Sequence, residues 1–265
     1  MAFGKCPMCK LDKKLVKSHL IPRALYNYCR ATGSEPILIT TKVMVHTSKQ
    51  TKYHLLCSDC EGVLSEGGEK WLLPKLATIK GKFPFLDILR SKSPEFAEPD
   101  LVVYAAATNP GIRVGKLVHF GLGIFWKASV HHWGVLHEET LIDLGEYGEK
   151  VRAFLKGEAD FPDDIALTLH VSPPPTTLIS FFLPFEGRAA VDGLRLFYFY
   201  VCGLRFTLSI RRNIGDLRGI CLHSNPEHLI LVEDISPEIN AMFRESAKNA
   251  RKSGKVLQYM NKRKP

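Results

Sequence analysis

Apolar and polar positions change rhythm several times along the chain. Residues 42–46 and 53–56 read as extended segments. Just after them, Cys57, Cys60, Glu61, Val63, Leu64, Glu66, Trp71 and Leu72 mark a helical start interrupted at Gly67-Gly68. Residues 22–32 predict a short helix. Residues 75–99, rich in Pro, Lys and Ser, read as a linker with one apolar segment at 83–89. Beyond residue 100 comes a strand at 101–107. Apolar positions at Val114, Leu117, Val118, Phe125 and Val130 then predict a core helix across 114–133, and residues 146–158 a second helix ending near Gly157. From Ile165 the texture turns to β, at 165–171, 177–185, 194–210, 217–223 and 229–232, with Cys202-Gly203 turning 194–210 into a hairpin. A last helix starts at a Ser236 cap with Pro237 in its first position. The class is α+β: an N-terminal module over residues 1–74, a linker over 75–99, a larger α+β domain with an antiparallel sheet over 100–243, and a basic C-terminal helix and tail over 244–265.

The 265 residues, 45% hydrophobic and 24% charged, supply one large core or a small module plus a medium domain, which excludes disorder over most of the length. No segment approaches the roughly 20 apolar residues that cross a bilayer. The richest, 194–210, is broken by Arg195 and Arg205, so no membrane association is expected. The N-terminus has no apolar signal core, and a cytoplasmic, reducing setting is expected.

The net charge of +9 is unevenly placed. Residues 1–52 carry net +8 and residues 244–265 net +7, which leaves the body between them at −6. Two basic ends around an acidic body suit a polyanion, with nucleic acid, DNA first, as the expected partner. A stripe from Arg244 through Lys248, Arg251, Lys252 and Lys255 to Lys262-Arg263-Lys264 would neutralise phosphates without reading sequence. The alternative is a solvated basic loop and tail.

Four of seven cysteines form two pairs of equal spacing, Cys6-Pro-Met-Cys9 and Cys57-Ser-Asp-Cys60. In a reducing setting such pairs read as thiolates around one structural zinc, closed to water. A redox dithiol is the competing reading, disfavoured by the lack of an adjoining βαβ pattern. A knuckle, a returning hairpin and a helix opened by the second pair would make a treble clef. Cys29, Cys202 and Cys221 have no partner at ligand spacing.

Between the pairs lies Lys17-Ser-His-Leu-Ile-Pro-Arg23. The order Cys pair, His-x-x-Pro, Cys pair resembles the HNH, or His-Me finger, nuclease superfamily over residues 1–72. The resemblance implies a ββα-metal fold, His19 as general base, Glu61 as ligand to a catalytic Mg²⁺ or Mn²⁺, and phosphodiester hydrolysis. The sequence departs from that pattern at Ser18, where an acidic residue is usual, at Glu61, where His or Asn is common, and at Lys52, Tyr53 and His54, where an Asn is expected. Such chemistry needs an activated water and a cation on the phosphate. Carboxylate suits a hard cation. Arg23, Lys17 and Lys252 are candidate phosphate contacts.

Glu69 would share a helical face with Glu61 if the helix ran through the glycines. His46 and His54 read as strand histidines, His131-His132 and His137 lack a metal motif, and the aromatic block 197–206 reads as core rather than as a base-stacking surface. Three functions remain open: a metal-dependent HNH-type endonuclease, a non-catalytic zinc module that binds nucleic acid, and an interaction or sensor protein.

Overall fold

Strands β1 (Ala2–Lys5) and β2 (Asp12–His19) pair antiparallel, and the residues joining them form the knuckle that carries Cys6 and Cys9. Lys10, at φ 62°, closes the knuckle, with its amide donating to the Cys6 carbonyl at 2.8 Å. The chain then leaves the sheet through α1 (Arg23–Tyr28), β3 (Ile37–Ile39) and β4 (Val43–His46), and returns as β5 (Lys52–Cys57) beside β2. The computed structural model describes residues 2–29, 37–39, 43–46, 49–78, 81–135, 138–173, 180–188 and 191–252.

Helix α2 (Ser58–Leu64) passes through a π-helical segment, Ser65–Glu69, into α3 (Lys70–Leu72) and a closing 3-10 turn, Leu73–Lys75. The interruption expected at Gly67-Gly68 is therefore a change of winding, not a break. The glycines admit a neighbouring helix: a Cβ on Gly67 would lie 2.1 Å from the His119 ring, and one on Gly68 2.5 Å from the Lys116 carbonyl oxygen.

In the stretch read as a linker, α4 (Pro84–Arg90) buries Phe85, Leu86 and Leu89. After β6 (Phe96–Ala97) and β7 (Val102–Ala105) comes α5 (Val114–Ser129), where the predicted helix stops four residues short of Trp133. It is buried almost all round, as a helix between two layers must be. One side meets the glycine pair of the N-terminal helix; on the other, a Cβ on Gly121 would lie 2.7 Å from the Phe206 ring. Then follow β8 (Trp133–Val135), β9 (Glu138–Thr140) and α6 (Tyr147–Lys156), which ends on left-handed Gly157.

The β region holds β10 (Ile165–Val171), β11 (Phe181–Gly187), β12 (Arg195–Val201), β13 (Leu204–Ile210) and β14 (Leu229–Val232). They join a seven-stranded sheet of order β11-β12-β13-β10-β14-β7-β6, antiparallel at every pair except β10 with β14. The expected hairpin turns at Cys202-Gly203, but residues 217–223 form no strand: Gly215–Ile220 is a 3-10 helix. Phe197 is buried, and Phe199 and Phe206 are buried against Phe120 and Phe125 of α5. One apolar core runs from Cys6, Met8 and Leu64 to Leu167 and Phe206. Cys29 and Cys202, far apart in sequence, meet by their side chains; that contact and burial push the Cys202 thiol up.

Helix α7 (Ser236–Asn249) starts at its expected cap, one residue earlier than expected, since Ser236 is already helical; the Ser236 amide donates to Asp234 Oδ1 at 2.9 Å. It leads to β15 (Arg251–Lys252), which pairs parallel with β4. The start of the second basic end thus lies beside the first. Residues 253–265, with Lys255, Lys262, Arg263 and Lys264, fall outside the described residues, as does His137. Among the described residues no helix is long and apolar enough to cross a membrane.

Candidate metal centre and the histidine beside it

The knuckle presents Cys6 and Cys9. Cys57 closes β5 and caps α2, whose first turn carries Cys60. The four sulfurs lie within 4.8 Å of one another, with Cys9 and Cys57 Sγ 3.9 Å apart. A tetrahedral zinc with Zn–S near 2.3 Å needs S···S edges of about 3.8 Å, so the donor set fits a closed four-thiolate site. Burial opposes charge on Cys6, but amide hydrogen bonds around it outweigh that and bring its pKa to about 7; one comes from the Cys57 amide at 3.4 Å. Arg152 of α6 donates from Nη1 to the Met8 carbonyl at 2.9 Å and is held by Glu149 and Glu158 at 2.6 and 2.7 Å. Among the described residues no other group of three or more potential ligands converges.

His19 ends β2, where its backbone faces Lys52. Its Nε2 lies 2.9 Å from Gln50 Oε1. An amide oxygen only accepts, so Nε2 carries the proton and Nδ1 keeps its lone pair. Burial is the largest influence on His19 and lowers its pKa; the Gln50 bond opposes this, and the Lys52 and Lys127 charges reinforce it. The ring is therefore a neutral imidazole near pH 7.

Ser18 is fully buried. Its hydroxyl donates to Glu61 Oε2 at 2.7 Å and accepts the Leu56 amide at 3.3 Å. The Ser18 side chain thus ties the strand carrying His19 to the helix carrying Glu61. Glu69, beyond the π turn, accepts from Lys127 Nζ at 3.1 Å, and Lys127 also donates to the His19 carbonyl at 3.0 Å. Trp133 Nε1 donates to the Lys127 carbonyl at 2.8 Å. Two residues before it, His131 stacks on Tyr53 of β5 with ring centroids 3.9 Å apart.

The structure brings Cys6, Cys9, Cys57 and Cys60 together and places His19 and Glu61 on the adjoining strand and helix. Arg23 opens α1 and Lys17 lies on β2, both exposed. Lys252 sits in β15 opposite Met44, its side chain outside the described residues. His54 is a half-buried strand residue opposite Lys17. Gln50 and Lys127 were missed. Gln50 carried no signal, but a lysine within Gly-Ile-Phe-Trp-Lys-Ala, on a helix read as core, was a visible anomaly.

Comparison of the chain with protein-family models, with curated proteins and with solved structures finds no significant match.

Proposed function

We propose that the chain is a metal-dependent endonuclease of the HNH type, with residues 1–74 as a treble-clef ββα module. The observation that supports this best is a neutral histidine with a free Nδ1 at the end of a strand braced against the Glu61 helix by the four cysteines and by Ser18. The pairing of Arg251–Lys252 with β4, which brings the start of the second basic end beside the first, favours a polyanionic substrate, DNA first.

His19 takes the proton from an attacking water through Nδ1. Its Nε2–H stays on Gln50, which holds the ring plane, and Lys127 holds its carbonyl. The Glu61 carboxylate offers a hard oxygen donor, which suits Mg²⁺ or Mn²⁺. Such an ion, when bound, absorbs charge developing on the phosphate and the departing oxygen. Zinc among the cysteines is structural and separate from it. Arg23, Lys17 and Lys252 neutralise backbone phosphates.

A supercoiled-plasmid nicking assay with Mg²⁺ or Mn²⁺ tests this. The wild-type chain nicks; His19→Ala does not, while keeping its zinc and its circular dichroism spectrum. Equal nicking by the variant removes His19 from the mechanism. A salt-sensitive gel shift without nicking assigns the chain to the class of non-catalytic zinc modules that bind nucleic acid.

A further inference from the structure

Tyr53 is the cross-strand partner of Ser18 in the β2–β5 ribbon, one residue from the His19–Lys52 pair. Directly opposed residues share a face of a ribbon, so Tyr53 belongs to the face on which Ser18 reaches Glu61. Tyr53 is 53% exposed. The ring is not loose. His131 lies against it, tilted by only 24°, and Trp133, 1% exposed and hydrogen-bonded to the Lys127 carbonyl, meets His131 edge-on at 5.2 Å. The end of α5 therefore supplies the lysine that holds His19, and the residues just after it supply the stack that stiffens Tyr53. Lys52 precedes Tyr53 on β5, Lys17 and Arg23 are exposed in the same module, and residues 1–52 as a whole carry net +8.

We infer that Tyr53, backed by His131, is a stacking platform for an unpaired base, and that the substrate is engaged as single-stranded nucleic acid or at an unpaired position. The inference rests on the nucleic-acid reading above and adds the strand state to it. A flat ring with a pre-formed backing can take the π-face of any base without reading its edges, and the net positive charge of residues 1–52 suits the phosphates of the same strand. A duplex keeps its base faces covered by stacking and cannot use such a platform.

The test is binding by the full zinc-loaded chain without added Mg²⁺ or Mn²⁺. Its probes are a fluorescein-labelled 20-nucleotide thymidine strand, a 20-base-pair duplex, and a strand carrying 2-aminopurine. Base–aromatic stacking is worth about 1–3 kcal/mol, so Tyr53→Ala weakens the single strand roughly 5- to 150-fold. Tyr53→Phe stays near wild type, duplex affinity changes little, and the 2-aminopurine quenching seen with wild type disappears in Tyr53→Ala. Because Tyr53 is exposed, its truncation does not threaten folding, and zinc content confirms this. If the wild-type chain binds the single strand and Tyr53→Ala binds it equally well, the platform falls and the nuclease reading stands. Binding of neither oligonucleotide by the wild-type chain overturns both.

Discussion

Lys127 Nζ donates to the carbonyl oxygen of His19 at 3.0 Å across 108 positions of sequence, and the lysine is 1% exposed. Its second partner, Glu69, lies on the helix that follows the second cysteine pair. The strand bearing His19 and the helix of the metal module are thus both fastened to a buried helix of the following region. A charge this deep is tolerated only when paired and hydrogen-bonded, as here.

Removing that charge leaves Glu69 facing an apolar side chain. Lys127→Met is expected to lose about 3–5 kcal/mol in urea unfolding, because breaking one side of a buried pair strands the other. Adding Glu69→Gln should restore part of the loss. Full additivity of the two substitutions would show that they do not interact.

The glycines of the N-terminal helix make opposite predictions. At Gly62 a Cβ meets nothing within 4 Å, so Gly62→Ala should stabilise by roughly 0.5–1 kcal/mol through helix propensity. At Gly68 the methyl group would press on the Lys116 carbonyl and on Phe120, and backbone cannot move aside cheaply. Gly68→Ala should destabilise by about 1–3 kcal/mol. Thermal melts of the two variants check the sign.

The cysteine cluster predicts one zinc per chain by elemental analysis. Cys57→Ala should lose it and become protease-sensitive in the N-terminal module, since Cys57 is both ligand and helix cap. Chelation of the wild type should produce the same cleavage pattern. Full zinc with native-like protease resistance in Cys57→Ala would count against the shared site.

Burial holds His19, His119, His131 and His223 below the ordinary histidine value. His170 falls to about 3 through burial and the Arg205 charge. Glu233, 3.4 Å from His170, does not reverse this because Arg205 already holds it at 2.9 Å. In the unfolded chain these rings take protons near pH 6.5, while the folded rings stay neutral. Their contribution to stability is therefore full above about pH 6.5 and declines as pH falls toward the folded values. Each histidine adds at most about 1.4 kcal/mol per pH unit to that slope. Urea midpoints between pH 7.5 and 5 measure it, and a flat profile would contradict the burial of these rings. For the proposed hydrolysis, the acid limb of kcat/KM should lie below about 6.5.

Much of the β region was readable because period and punctuation are local: residues 229–232, 165–171 and the Cys202-Gly203 turn are strand and hairpin as the pattern implies. Residues 217–223 failed because a short apolar run does not distinguish a strand from a 3-10 segment that rests on neighbours. Residues 75–99 hid a helix for a related reason. The Pro, Lys and Ser content reads as a linker, yet Pro84 stands in the first turn of α4, where its missing amide is no loss.

For the site, the paired spacing of Cys6, Cys9, Cys57 and Cys60 was sufficient by itself, since cysteines with two residues between them make a knuckle wherever the backbone turns, and the four sulfurs cluster as that spacing implies. Sequence alone also marked His19 and its neighbours as a unit. It did not contain Gln50 as the partner of Nε2, Lys127 as the support of the His19 backbone, or His131 against Tyr53. Those pairings arise from packing between elements distant in the chain. For Lys127 the deciding feature is the close approach of α5 to the glycine pair, a distance that no local pattern of residues encodes.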